Sequence, residues 1–125
     1  MSRNIETSNA PAPIGPYHQA VKCGSTVFVS GQIPIDPETG KLIDGDIEAQ
    51  THQVMKNLKA VIEAAGMDMD HVVKCSIFVT DINDFATVNK VYGGYFLTTF
   101  PARETVQVVA LPAGAQVEIS CIAAT

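Results

Sequence analysis

Apolar positions recur with two periods along the chain, and the changes of period mark out the elements. Tyr17 to Cys23 alternates, setting Tyr17, Gln19, Val21 and Cys23 on one face. Thr26 to Ser30 follows after Gly24-Ser25 and carries Val27, Phe28 and Val29. Two strand-like runs about a two-residue turn that opens with glycine predict a hairpin. Gln32 to Ile35 continues extended until Asp36-Pro37-Glu38-Thr39-Gly40 supplies turn chemistry, and Lys41 to Ile43 offers a short further strand. From Asp46 to Ala65 the period becomes helical, with Ile47, Val54, Met55, Leu58, Val61, Ile62 and Ala65 on one stripe. Asp44 or Asp46 is placed to cap its start, and Gly66 fits the left-handed position past its end.

His71 to Thr80 reads as a strand, so evenly apolar from Ser76 to Val79 that cover on both faces is expected. Asn83 or Asp84 caps a second helix in which Phe85, Val88, Tyr92, Tyr95 and Phe96 are spaced by three or four, with Pro101 beyond its end. Arg103 begins the next extended segment. Thr105 to Leu111 is its strand, Pro112-Ala113-Gly114 a turn, and Gln116 to Ala123 the last strand. Before all of these, residues 1–16 hold Pro11, Pro13, Pro16 and Gly15 and predict an extended arm or loop. The order β-β-(β)-α-β-α-β-β predicts one sheet with right-handed crossovers. Two helices cover one face of it, so the other face must meet water or another subunit.

The length of 125 residues suits a single domain over 1–125 that folds without metal or disulfide. Only 17% of residues are charged, against a usual share of about 25%, which hints at surface buried by self-association. The net charge of −5, the absence of a basic run and the lack of Trp leave a nucleic-acid partner poorly supplied. Cys23, Cys75 and Cys121 form no CxxC pair and each lies in an apolar or strand-like run, so three reduced core thiols are expected. The polar start shows no signal peptide, and no apolar stretch approaches the ~18 residues of a membrane span, so the expected location is the cytoplasm. His18, His52 and His71 match no zinc spacing, and no metal is expected.

Three residues hold chemical interest. Glu118 stands between Val117 and Ile119 in a strand, where a carboxylate must be paired, exposed or functional. Arg103 is either a surface ion pair or a fixed fork for gripping a carboxylate. Ser30 precedes Gly31, a residue that permits close approach of backbone or ligand, though a plain turn explains the pair equally well.

Ile14-Gly15-Pro16-Tyr17, Phe28-Val29-Ser30-Gly31-Gln32, Gln50 to Asn57, Val88-Asn89 with Tyr92, Pro101-Ala102-Arg103, Leu111-Pro112 and Val117-Glu118-Ile119 together resemble the RidA (YjgF-like) imine deaminase family along essentially the whole chain. The resemblance implies an α+β, chorismate-mutase-like fold: a mixed sheet of about six strands with two helices on one face, assembled as a homotrimer with the sheets around a central core. It implies active sites in clefts between subunits, lined or supported by the positions matching Tyr17, Ser30, Gly31, Asn89, Arg103 and Glu118. Many members carry Cys two residues after the motif arginine. Here that position is Thr105, so no reading that needs a thiolate there applies, although its backbone N–H stays available.

The activity implied is hydrolysis of 2-aminoacrylate, 2-aminocrotonate and their imine tautomers to 2-keto acids and ammonia, without a cofactor. In that scheme Arg103 anchors the carboxylate and Glu118 moves protons. Tyr17 and Ser30 order water or the substrate nitrogen, Gly31 and Thr105 add backbone contacts, and Asn89 braces the second helix. The rival readings are a non-catalytic regulator binding small carboxylates or 2-keto acids, an RNA-directed ribonuclease or translation inhibitor, and a chaperone-like surface.

Overall fold

The computed structural model describes residues 3–125. Its strands are β1 (Asn4–Ile5), β2 (Ala20–Cys23), β3 (Thr26–Gln32), β4 (Ile35–Asp36), β5 (Lys41–Leu42), β6 (Val72–Val79), β7 (Ala102–Gln107) and β8 (Val117–Ala124). Its helices are α1 (Ile47–Ala64) and α2 (Phe85–Gly93). Six strands form one sheet in the order β1-β2-β3-β8-β6-β7, antiparallel except for the parallel pair β6–β7 that α2 connects. The α+β mixed sheet of six strands carries both helices on one face. β4 and β5 form a separate hairpin.

Local chemistry sets the boundaries. The β2–β3 hairpin turns at Gly24-Ser25, with Gly24 at φ 60°. α1 begins where Asp46 accepts a hydrogen bond from the Ala49 N–H at 2.9 Å, a cap worth about 1 kcal/mol. It stops before Gly66, whose φ of 81° a side chain would strain. The apolar stripe of α1 buries Val54, Met55, Leu58, Val61 and Ile62 against Val27, Val29, Cys75, Ile77, Val117, Ile119 and Cys121 of the sheet. Burying each large side chain of this set contributes roughly 1.5–3 kcal/mol.

Several boundaries differ from the sequence reading. The alternation from Tyr17 does not form one strand, because β2 starts at Ala20 and Gln19 turns inward instead. Gln19 holds the N-terminal arm: its Oε1 accepts from Thr7 N, and its Nε2 donates to the carbonyls of Thr7, Ala10 and Pro11. The arm also gives two residues to the sheet as β1. The strand expected over Thr105–Leu111 is shifted to Ala102–Gln107, since β6 ends at Val79 and leaves later residues no ladder partner. Cys23 is not a core thiol; it lies exposed at the hairpin end, while Cys75 and Cys121 are buried.

The second face of the sheet is open in the single chain. Across it lie the neighbours Phe28 and Ile122, Ser76 and Ser120, Phe78 and Glu118, and Phe78 and Val106. Phe28 is 48% exposed and Val106 42%, so the cover expected over both faces of β6 is not supplied by this chain. Among the described residues, no helix is long and apolar enough to cross a membrane.

Candidate active site

Arg103 lies on edge strand β7, beside Cys75 of β6, and projects toward α2. Its Nη1 donates to Oδ1 of Asn89 at 2.6 Å. Its guanidinium carbon stands 5.2 Å from the ring centre of Tyr92 and 5.5 Å from that of Phe85. Asn89, Phe85 and Tyr92 all belong to α2, so one helix grips the guanidinium by one hydrogen bond and two aromatic faces. The guanidinium is a half-buried charge that cannot be neutralised, with no carboxylate partner among the described residues.

The same strand face carries Thr105, whose Oγ1 is buried without a hydrogen-bond partner. The Val108 N–H bonds to Val79 O on β6. Alternation along the strand therefore turns the N–H of Thr105, three residues earlier, to the unpaired outer edge. Behind the guanidinium, the Tyr92 hydroxyl lies buried beside the Cys75 thiol without a hydrogen bond of good geometry. Burial raises the pKa of both, so both stay neutral near pH 7.

Glu118 projects from the other face of the sheet, next to Phe78. Burial raises its carboxyl above the ordinary range, and it has no cationic partner among the described residues. Gly31 lies against it: a Cβ built there would meet Glu118 Oε2 at 2.6 Å. The absence of a side chain at Gly31 is thus a requirement of this carboxylate, at an irregularity in the β3–β8 ladder between Val29 and Gln32. Ser30 lies in the same irregularity and donates its hydroxyl hydrogen to His18 O at 2.6 Å, which fixes the bend rather than offering a donor to a ligand. Tyr17, 44% exposed, accepts from the Ile14 N–H through its hydroxyl and lines a small recess with Gly31 and Ile33.

The residues expected in one cleft therefore form two groups. Asn89, Arg103 and Thr105 gather on the helix side, and Tyr17, Ser30, Gly31 and Glu118 on the open side. Strand alternation is the reason, because Arg103 shares a face with Cys75 while Glu118 shares the opposite face with Phe78. A single chain does not bring Arg103 and Glu118 together. Asn89 also takes a more direct part than bracing α2, since it holds the arginine itself. Phe85 had appeared only as a member of an apolar helical stripe, and Tyr92 there and beside Val88-Asn89 in the family motif, with no role assigned to either. Their seven-residue spacing, two turns of one face, was the available signal that both rings reach the same neighbour.

A cavity of about 430 Å³ lies elsewhere, lined by Lys59, Asp68, Asp70, Tyr95 and Leu97 among others, and contains neither group. A smaller recess of about 260 Å³ adjoins Arg103. Among the described residues no three His, Cys, Asp or Glu side chains gather as metal ligands.

Comparison with known proteins bears on this geometry. The endoribonuclease L-PSP family profile matches residues 7–125. The 2-iminobutanoate/2-iminopropanoate deaminase of Salmonella typhimurium is 51% identical over 126 aligned positions, covering 98% of each chain. The crystal structure of Escherichia coli TdcF with bound serine superposes with a TM-score of 0.95 at 45% identity, covering 99% of each chain. That of the Escherichia coli YjgF gene product gives 0.93 at 48% identity, covering 98% of each.

Proposed function

This chain belongs to the endoribonuclease L-PSP family, in its RidA group, and we propose from that premise that it hydrolyses reactive 2-enamine and 2-imine intermediates to 2-keto acids and ammonia. The observation that carries the proposal is the Arg103 guanidinium, gripped by Asn89, Phe85 and Tyr92 and without a carboxylate partner among the described residues. Such a fork suits a small carboxylate, the group shared by 2-imino acids and by the serine held in TdcF.

The site is assembled between copies of the chain. Arg103 and Glu118 leave opposite faces of one sheet, so a seam must set the arginine group of one subunit against the glutamate group of its neighbour. The partly exposed apolar side chains Phe28, Phe78 and Val106 on the open face suit burial in a homotrimer with its sheets turned inward. A site built this way is absent from the monomer and present in the assembly.

Chemistry follows from the groups. Arg103 and the outward N–H of Thr105 fix the substrate carboxylate, which places C2 of the imine. Orientation of this kind supplies several kcal/mol of a barrier. An enamine first takes a proton at C3 to become the iminium, the protonated form of the imine. Glu118 then accepts a proton from water as its oxygen bonds to C2 and the C=N electron pair moves to nitrogen. The carbinolamine's O–H is lost and nitrogen is protonated as the C–N bond breaks, giving the 2-keto acid and ammonia. A carboxyl raised above the usual range suits this exchange of protons. No cofactor is required, because the imine carbon is already electrophilic. The net charge of −5 and scattered lysines count against RNA as the substrate, whatever the family's name.

The test is an assay coupled to a threonine or serine dehydratase, following loss of the intermediate. Arg103→Ala is expected to lose clearance to the uncatalysed rate. Unchanged clearance would remove the anchor, and with it the proposal.

A further inference from the structure

The recess of about 260 Å³ beside Arg103 is lined by Asn89, Tyr92, Gly93, Phe100, Pro101 and Arg103 itself. Among the described residues Arg103 is the charged group on that wall; Asn89 is neutral and already engaged with the guanidinium. The rest is aromatic, aliphatic or bare backbone. Two features are not explained by folding. Phe100 is 69% exposed, its ring set edge-on to the core residue Phe96 at 6.2 Å between centres. Gly93 occupies the last turn of α2, and it is not among the glycines with positive φ. A Cβ there would meet nothing closer than Phe100 at 4.0 Å, an ordinary contact. Neither backbone conformation nor crowding calls for glycine at 93, and a helix is weaker for having one. What a side chain there would remove is the space between α2 and Phe100.

We propose that Gly93 and Phe100 are specificity-determining residues, holding open beside the carboxylate anchor an apolar recess that takes the substrate's side chain. The proposal rests on the reading of Arg103 as that anchor. Once the carboxylate is fixed, the side chain on C2 has a short, uncharged space to enter. Aliphatic side chains longer than ethyl gain buried contact there. A second carboxylate would be desolvated without a cation of its own, because the one guanidinium is taken.

Binding of stable 2-oxo acids, followed by titration calorimetry on the intact protein, tests this without requiring turnover. At roughly fourfold per buried carbon, the two extra carbons of 4-methyl-2-oxopentanoate should make it bind about fifteenfold tighter than 2-oxobutanoate, and 2-oxoglutarate should bind weakest of the three. Gly93→Leu fills the recess and should bring the ratio of the two monocarboxylates to about one. Phe100→Ala, a change at an exposed ring that leaves the fold intact, should lower the same ratio. A wild-type protein without preference, or a ratio unmoved by both substitutions, overturns the proposal. Preference and its loss in Gly93→Leu without any imine turnover would leave the recess standing and defeat the deaminase reading. Turnover with kcat/KM ratios indifferent to residues 93 and 100 would do the reverse. No binding of any 2-oxo acid defeats both.

Discussion

Replacing Gly31 by alanine perturbs the glutamate group while leaving the rest of the chain in place. Gly31 is not in the left-handed region, so alanine meets no backbone penalty. Its Cβ would stand 2.6 Å from Glu118 Oε2, 2.9 Å from Cδ and 3.2 Å from Cγ. Ordinary contact begins near 3.4 Å, so the carboxyl must retreat by about 0.8 Å. Glu118 is half-buried on the open face and can swing, so the stability cost is expected to stay below about 1 kcal/mol. Placement of the proton-transfer group is far less tolerant, since a shift near 1 Å costs roughly 10²-fold in rate. Gly31→Ala should therefore lower kcat/KM in the dehydratase-coupled assay by roughly 10²-fold, with a melting temperature close to wild type. A variant with a wild-type rate would show that the Gly31–Glu118 contact has no part in the chemistry. A collapse of the melting temperature would show that glycine serves the fold instead.

Other substitutions separate the remaining groups. Asn89→Ala removes a charge-assisted hydrogen bond from the guanidinium and should raise KM about tenfold with a smaller change in kcat, a split that steady-state kinetics reads directly. Burial raises the Glu118 pKa above its unfolded value, so its contribution to stability is present below the ordinary carboxylate range and lost as pH rises through the folded value. Glu118→Gln should accordingly melt higher than wild type at pH 7, and the gap should close below about pH 4. The same substitution should abolish imine clearance, and with it the low-pH limb of kcat/KM that lies above the usual carboxylate range.

Much of the fold could be read from periodicity and punctuation. Gly24-Ser25 places the hairpin, and Asp46 and Gly66 bound α1, but α2 ends at Gly93, well before Pro101, so Tyr95 and Phe96 pack from beyond the helix and not from its stripe. What failed was what depends on partners far off in sequence. Gln19 looks like one member of an alternating strand, but four hydrogen bonds to an arm eight to twelve residues away turn it inward. Val108 to Leu111 look like strand, but pairing ends when β6 ends. The candidate site was legible as a set of residue types and motifs, not as an arrangement. Arg103 and Glu118 each carried a signal of chemistry, yet only the register of β7 and β8 against β6 shows that they leave opposite faces. The part that Phe85 and Tyr92 play was hidden, because an aromatic on a helical stripe reads as core until a guanidinium is found against two of them.

That opposition of faces makes the central claim directly measurable by mixing subunits. Arg103→Ala and Glu118→Gln chains, each inactive alone, are unfolded, combined in equal amounts and reassembled before the coupled assay. If each site takes its arginine from one chain and its glutamate from the next, activity should return to about a quarter of wild type, the fraction of seams that by chance join two intact groups. If both groups had to come from the same chain, every chain in the mixture would lack one of them and no activity would return.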